Sequence, residues 1–247
     1  MIDHRTSRLC STGPAYIYLP TSILMLPKPC AFSCWFRCSA APSTTGYVIM
    51  SFGGTASRHP MMCLMLNQEV NGSLTLMVRN DASTAFYART SATYSANTWH
   101  FAAGVVHTDL TTTAFLGSSL AYNSTPISGT YTMNQSAVGC LLRSSAASGF
   151  PGQIASPTIW DRPLSTAEVM ALAGGANPGS IRPRSIVSSI NMGNLMDTRG
   201  RSWTNVGTSI DMPCGRLSSA PVPKIISKSP ASTSNRRRRV LICGRAA

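Results

Sequence analysis

The sequence predicts an all-β protein: a sandwich of two antiparallel sheets, with one short helix and a basic C-terminal tail. Short apolar runs recur along the chain, several of them alternate with a period of two, and turn residues separate them. Only the stretch after Trp160 carries both a start signal and a stop signal for a helix. A length of 247 residues without an internal repeat fits one large domain followed by a tail.

The clearest alternation lies between residues 30 and 38. One face of this predicted strand holds Cys30, Phe32, Cys34, Phe36 and Cys38, and the other holds Ala31, Ser33, Trp35 and Arg37. This period predicts a strand with one face in the core. Residues four apart on a strand are separated by about 13 Å, too far for two cysteines to share one zinc ion. We therefore interpret these cysteines as small buried hydrophobic residues.

A hairpin is expected around Asn71-Gly72, because this dipeptide separates apolar runs at 61–70 and 73–79. Residues 61–66 are apolar on both faces, which predicts an interior strand that a partner can cover. The remaining apolar runs predict strands at 14–23, 47–52, 85–90, 99–106, 113–117, 119–122, 137–143 and 186–191.

A strand followed by a short helix is expected after Phe150. Gly152 allows a tight bend, and residues 153–160 alternate, so Ile154 and Trp160 are expected on one face and Ile159 on the other.

The helix has its own boundary signals. Asp161-Arg162-Pro163 ends the strand, and Ser165 with Glu168 matches the S-x-x-E pattern of a capping box. Gly174-Gly175 then predicts the end of the helix.

This ordered set of residues resembles the signature of concanavalin A-like, laminin G-type domains. The residues that carry the resemblance are Phe150, Gly152, Ile154, Trp160, Arg162, Leu164, Ser165, Glu168 and Leu172. The resemblance implies a laminin G-like jelly-roll sandwich over residues 1–217, followed by a docking tail at 218–247. It does not define the function, because this fold occurs in lectins, glycosidases, adhesion modules and virion proteins.

The net charge of +13 is unevenly distributed. Residues 1–177 carry nine Lys or Arg and six acidic residues, whereas residues 178–247 carry twelve and two. The tail contributes Lys224, Lys228, Arg236, Arg237, Arg238 and Arg239, which we expect to dock to an anionic partner.

The N-terminus has no apolar segment of the signal-peptide type, and no apolar run is long enough to span a membrane. We therefore expect synthesis in a host cytoplasm, no membrane partner, and free thiols rather than disulfides for the eight cysteines.

The sequence shows no recognisable catalytic or metal-binding pattern, and we expect neither enzymatic activity nor a cofactor. Glycoside hydrolysis requires two carboxylates. Glucanases with the fold that the resemblance implies carry them as glu-x-asp-x-x-glu, which is absent here. Glu69 stands alone near a turn, and Glu168 is assigned to the helix cap.

The other side chains that could bind a metal ion have structural roles more often than metal-binding ones. Asn80, Asp81 and Asp109 are the calcium candidates, but Asn and Asp form turns more often. His59, His100 and His107 lack the spacing of metal ligands on one element, and His100 and His107 fall on opposite faces of a continuous strand. A metal-free sugar site on an exposed Trp or Tyr remains open.

Three functional hypotheses follow. The first is a structural virion protein, a phage capsid decoration (cement) or surface protein, whose tail docks to the major capsid protein or to other copies in a homo-oligomer or lattice. The second is a lectin-like carbohydrate-binding module for host or glycan attachment, which predicts an exposed aromatic platform. The third is non-specific nucleic-acid binding through the four consecutive Arg residues.

Overall fold

The computed structural model describes residues 7–10, 16–19, 28–55, 60–192 and 195–206, with the backbone alone for 7–10, 191 and 205. The tail residues Lys224, Lys228, Arg236, Arg237, Arg238 and Arg239 lie outside the described residues, as does His59. No helix within the described ranges has the length and apolar character that a membrane span requires.

The regular secondary structure of the described residues is almost entirely β, as the sequence predicts. Its elements, in chain order, are β1 (Ser7–Cys10), β2 (Tyr16–Leu19), β3 (Cys30–Cys38), β4 (Tyr47–Gly53), β5 (Met61–Leu66), β6 (Ser73–Arg79), β7 (Ala85–Thr93), β8 (Trp99–Val106), β9 (Thr112–Leu116), β10 (Ser119–Asn123), β11 (Gln135–Val138), β12 (Leu141–Leu142), β13 (Ala146–Ala147), β14 (Gly152–Trp160), α1 (Thr166–Ala173), β15 (Ile186–Asn191), β16 (Met196–Asp197) and β17 (Thr204–Val206).

These strands form two antiparallel sheets packed face to face, which confirms the predicted sandwich. Sheet A has the order β10-β9-β8-β3-β14-β15-β16, and β1 also pairs with β14. Sheet B has the order β17-β2-β11-β4-β5-β6-β7. The short β12–β13 hairpin pairs only with itself within the described residues.

The main core lies between the sheets and contains one face of each. Phe32 of sheet A packs edge-to-face against Phe52 of sheet B, with ring centroids 5.2 Å apart. The alternation predicted for β3 is confirmed, because Cys30, Phe32, Cys34, Phe36 and Cys38 all lie in this core. The cysteines at 30, 34, 38, 63 and 140 are all buried, and this burial confirms the interpretation of Cys30, Cys34 and Cys38 as small hydrophobic core residues.

Helix α1 covers the outer face of sheet A. Val169 and Leu172 of the helix form a second buried cluster with Phe101, Phe115 and Trp160 of the sheet. Sheet A is therefore buried on both faces along its central strands, and all nine residues of β14 are buried, including the polar Gln153, Ser156 and Thr158.

A bulge in β14 changes which residues share a face. Between the pairs Ala155–Trp35 and Thr158–Ser33, β14 advances three residues while β3 advances two. Ile154 and Ile159 consequently both lie in the main core, whereas Trp160 lies in the cluster beneath α1. The predicted pairing of Ile154 with Trp160 on one face is wrong, because strict alternation does not allow for an inserted residue.

Two predicted strand boundaries also differ. The hairpin around Asn71-Gly72 is confirmed, but β5 ends at Leu66, and the Asn67 side chain accepts the Gly72 N–H within the longer connection. The predicted strand at 137–143 is divided at Gly139, where φ is +97°, into the end of β11 and the separate strand β12.

The β12–β13 hairpin and its flanking residues fold over the outer face of β4. Ser51 Oγ donates to Cys140 O at 2.8 Å, Gln135 Nε2 donates to Arg143 O at 2.6 Å, and Val48 N donates to Ser148 O at 2.9 Å. Sheet B is therefore also covered on part of its outer face.

Candidate functional site

The signature residues after Pro163 stabilise the helix. Ser165 N donates to Glu168 Oε2 at 2.8 Å and Glu168 N donates to Ser165 Oγ at 3.3 Å, which confirms the capping box. Arg182, a partner the sequence did not predict, contacts Glu168 Oε1 at 2.6 Å. Although partial burial acts in the opposite direction, hydrogen bonds from Arg182 and Ser165 lower the pKa of Glu168. Arg162, by contrast, is exposed.

The earlier signature residues also have structural roles. Phe150, Ile154 and Trp160 are fully buried, and Leu164 is buried with Trp160 beneath α1. Trp160 Nε1 donates to Ile181 O at 2.9 Å. A side chain at Gly152 would collide with the carbonyl oxygen of Arg37, so the close approach of two backbones requires glycine there. These contacts assign the buried signature residues to the packing of the fold.

The loop residues considered for calcium are engaged in turns. Asp81 Oδ1 accepts the Thr132 N–H at 3.1 Å, and Asp109 Oδ1 accepts both the N–H and the hydroxyl of Thr111. Asn80 donates to Ser128 O at 2.9 Å. Within the described ranges, no group of three or more His, Cys, Asp or Glu side chains is placed to hold a metal ion.

The two described histidines lie on opposite faces of sheet A, as predicted. His100 stacks on Phe36 of the main core, with ring centroids 5.5 Å apart. His107 follows the end of β8, and its Nε2 shares a hydrogen bond of 2.7 Å with Thr113 Oγ1 on the outer face.

An exposed aromatic group extends the outer face of sheet A beyond the helix. On the edge strand β10, Leu120 pairs with Phe115, and Tyr122 pairs with Thr113. Phe115 belongs to the cluster beneath α1, but Leu120 is 48% exposed and Tyr122 is 55% exposed. The apolar surface thus continues past the helix and becomes accessible to solvent.

The imidazole of His107 lies beside the Tyr122 ring. Their centroids are 6.2 Å apart, and their planes are inclined by 60°. We name Leu120, Tyr122, His107 and Thr113 together the β10 patch. It combines an exposed aromatic ring with a half-buried imidazole, and the buried Thr113 hydroxyl is the hydrogen-bond partner of that imidazole.

The β10 patch is uncharged at neutral pH, with one anion at its border. Burial lowers the pKa of His107, against the opposing effect of the Asp109 carboxylate, so the imidazole is neutral. Hydrogen bonds from the Thr111 hydroxyl and N–H lower the pKa of Asp109, which remains a carboxylate.

The sequence did not single out these residues. The apolar pattern placed Tyr122 on a predicted strand and His107 directly after another, but such a pattern does not show which strand lies at the edge of a sheet. The one signal in the sequence was that β10 contains no β-branched residue; in the structure its half-buried residues alternate with the exposed Leu120 and Tyr122.

A family model described as the concanavalin A-like lectin/glucanases superfamily matches residues 11–170. No curated protein matches the chain. Among solved structures, the native heptameric SAP-like pentraxin from Limulus polyphemus superposes with a TM-score of 0.58 and 14% identity, covering 87% of this chain and 100% of the pentraxin. At this identity the likeness concerns the fold alone.

The CBM40 of the Ruminococcus gnavus IT-sialidase, bound to α2,3 sialyllactose, superposes with a TM-score of 0.56 and 14% identity, covering 68% of this chain and 96% of the CBM40. The complex of that CBM40 with α2,6 sialyllactose gives a TM-score of 0.55, 14% identity and coverages of 68% and 97%. The matched residues 11–170 make up more than half of the chain and include most of both sheets. The chain therefore belongs to the concanavalin A-like lectin/glucanases superfamily.

Proposed function

We propose that this chain is a non-catalytic, glycan-binding protein of the lectin type, and that the β10 patch is its sugar platform. The observation that carries the proposal is the 55% exposed Tyr122 ring beside the His107 imidazole, with ring centroids 6.2 Å apart. An exposed aromatic platform is what the carbohydrate-binding hypothesis predicted from the sequence. The CBM40 bound to sialyllactose supports it by showing a sugar on a related fold.

The chemistry of the β10 patch favours a neutral sugar. The Tyr122 ring and Leu120 offer apolar surface to the C–H groups of a pyranose. Because Nε2 of the neutral imidazole bonds to Thr113, the other ring nitrogen, Nδ1, is the one that can bond to a sugar hydroxyl, as donor or acceptor according to the tautomer. The ionised Asp109 near His107 disfavours a carboxylate-bearing sugar because like charges repel. We therefore expect a neutral glycan to bind more tightly than sialyllactose.

The arrangement of the acidic side chains supports a non-catalytic role. Six acidic residues lie in the described ranges, and five of them have hydrogen-bonded partners: Glu69, Asp81, Asp109, Glu168 and Asp197. Asp197 is fully enclosed and accepts from Arg201 Nε at 2.7 Å. A glycosidase requires two carboxylates that can both approach the scissile bond.

The test is glycan-array binding followed by calorimetry with the full-length chain. Tyr122→Ala should weaken the best neutral ligand at least tenfold, or about 1.4 kcal/mol, because it removes the apolar platform. Tyr87→Ala, which alters the outer face of sheet B, is the matched control and should leave binding unchanged. Equal affinity of wild type and Tyr122→Ala would exclude the β10 patch.

A second function is favoured by the charge distribution. Residues 178–247 carry twelve basic and two acidic residues, so the basic character is concentrated at one end. We propose that the chain also serves as a structural virion protein, made in the host cytoplasm and docked to the major capsid protein or to other copies through residues 218–247. Glycan binding and virion attachment are compatible, because a surface-bound lectin can serve host attachment.

A further inference from the structure

The His107 residue of the β10 patch is fixed at both ends of its side chain. Its backbone N–H donates to Thr111 O at 2.9 Å, and its carbonyl oxygen accepts the Leu110 N–H at 3.0 Å. Asp109 Oδ1 accepts from both the N–H and the hydroxyl of Thr111, which closes the turn between β8 and β9. The imidazole is therefore held by this turn at its backbone and by Thr113 at Nε2.

Thr113 forms the buried floor of the β10 patch. On β9 it pairs with Val105 of β8 on one side and with Tyr122 of β10 on the other. Thr113 is only 5% exposed, whereas Tyr122 is 55% exposed. His107 follows Val105 by two residues, so it lies on the same face of the sheet as Thr113. The hydroxyl therefore meets the imidazole from beneath, and the rest of the ring is left for a ligand.

The geometry of this hydrogen bond indicates that the hydroxyl is the donor. The distance of 2.7 Å between Thr113 Oγ1 and His107 Nε2 is typical of a hydroxyl donor, at about 2.7–2.8 Å, and shorter than the usual N–H donor distance of about 2.9–3.0 Å. Burial favours the same direction. Among the described residues, Nε2 is the hydrogen-bond partner of the Thr113 hydroxyl, and a buried donor without an acceptor is strongly unfavourable.

We infer that Thr113 is a positioning residue of the β10 patch: its hydroxyl donates to Nε2 of His107 and thereby keeps the ring proton on Nδ1. This inference rests on the proposed glycan-binding function. A neutral imidazole has one donor nitrogen and one acceptor nitrogen, so an Nε2 that accepts leaves Nδ1–H as the donor. A ring that is held in one tautomer before binding also loses less freedom when the sugar binds.

The inference narrows the part of a neutral glycan that fits the β10 patch. The C–H groups of the sugar lie on Tyr122 and Leu120, and the group next to them, over His107, must supply an acceptor oxygen. A hydroxyl oxygen meets this requirement, and so does the carbonyl oxygen of an acetamido group. A group that can only donate does not.

Nitrogen NMR of the full-length ¹⁵N-labelled chain at pH 7.5 measures the tautomer, because an unprotonated ring nitrogen resonates well downfield of a protonated one. The signals of His107 are assigned by their loss in His107→Gln. In wild type, Nε2 should have the shift of an unprotonated nitrogen, and Nδ1 that of a protonated one. Thr113→Val replaces the hydroxyl by a methyl group and should give a mixture of tautomers, whereas Thr113→Ser keeps the hydroxyl and should retain the wild-type shifts.

His100 is the internal control for the fold. Its ring stacks on Phe36 on the core face of sheet A, and its Nε2 contacts the backbone N–H and carbonyl of Ser95 at 3.0 and 3.3 Å. Its nitrogen shifts should therefore be the same in wild type and in both Thr113 variants. If they change in Thr113→Val, that variant has disturbed the fold, and the wild-type tautomer together with Thr113→Ala decides instead.

Calorimetry measures the consequence for sugar binding, with the neutral oligosaccharide that binds wild type most tightly on the array as the probe. Thr113→Val should weaken binding at least about fivefold, which is the size expected when one hydrogen bond is lost. Thr113→Ser should bind within about twofold of wild type, because the hydroxyl that fixes the ring is still present.

A wild-type His107 that carries its proton on Nε2 would overturn the inference, and so would undiminished binding by Thr113→Val. The proposed function survives both results if wild type binds the oligosaccharide and Tyr122→Ala weakens that binding. If wild type binds no glycan on the array, the proposed function fails, and the sugar role of Thr113 is overturned with it.

Discussion

At the residue scale, burial and the hydrogen bonds of buried groups set the protonation state of several titratable side chains. Burial raises the pKa of Cys30 and of Cys63 to about 12, so both thiols remain protonated and unreactive in the folded state. Asp197 is enclosed but accepts from Ser188, Arg201 and backbone N–H groups, and these hydrogen bonds outweigh burial and lower its pKa. These groups stabilise the fold, whereas the exposed Tyr122 and the half-buried His107 are the groups that we propose for recognition.

His100 provides a prediction about pH. Its ring stacks on Phe36 and lies 6.4 Å from the Tyr94 ring, and burial lowers its pKa despite a hydrogen bond with Ser95. The unfolded state therefore binds more protons than the folded state below the ordinary value of 6.5. Stability should be full above pH 6.5 and should fall as the pH drops from 6.5 toward the lowered pKa.

The measurement is the urea midpoint between pH 7.5 and pH 5, above the range where the carboxylates titrate. His100→Gln should show a smaller loss of stability over this interval than wild type. His107, whose pKa is also lowered by burial, should contribute to the part that remains. An identical pH dependence in both proteins would show that His100 is not the group responsible.

At the element scale, the sequence predicts local features well and fails where a distant contact decides. The capping box of α1 and the alternation of β3 are confirmed because both depend on neighbouring residues. The bulge in β14 has a local signal in Pro157, because proline has no N–H to donate to a neighbouring strand and within sheets occurs at edges or bulges. The alternating apolar pattern nevertheless predicted a regular strand. The exposure of Tyr122 had at most the weak signal of the composition of β10, because it depends on where α1 ends over sheet A.

The capping box also gives a prediction for this element. Ser165→Ala removes the hydroxyl oxygen that accepts the Glu168 N–H, and it should lower the free energy of unfolding by about 1 kcal/mol. Thr166→Ala, one residue into the helix, is the control and should change stability by less than about 0.5 kcal/mol. Urea unfolding measures both, and equal effects of the two substitutions would argue against the cap.

At the scale of the whole molecule, the two outer faces differ in exposure. The β10 patch lies on the outer face of sheet A, whereas the outer face of sheet B carries a buried apolar cluster that includes Cys63 and Met77. The β10 patch contains no residue of the basic tail at 218–247. We therefore expect glycan binding and tail docking to be separable by mutation.

A full-length variant tests this separation. In it, Gln replaces Arg236, Arg237, Arg238 and Arg239. We expect wild type to form a homo-oligomer or lattice in light scattering, and the variant to be smaller, because the tail has lost four positive charges. The variant should bind the neutral glycan as wild type does. Conversely, Tyr122→Ala should assemble normally.

The absorbance ratio at 260 and 280 nm then separates protein docking from nucleic-acid binding. Nucleic acid that co-purifies with wild type, is released by salt and is absent from the Arg→Gln variant would favour the nucleic-acid hypothesis, because phosphate contacts weaken steeply with salt. An assembly free of nucleic acid that depends on the four Arg residues would favour docking to an acidic protein surface. Assembly unchanged in the variant would contradict docking through these residues, and the proposed virion role would lose its support.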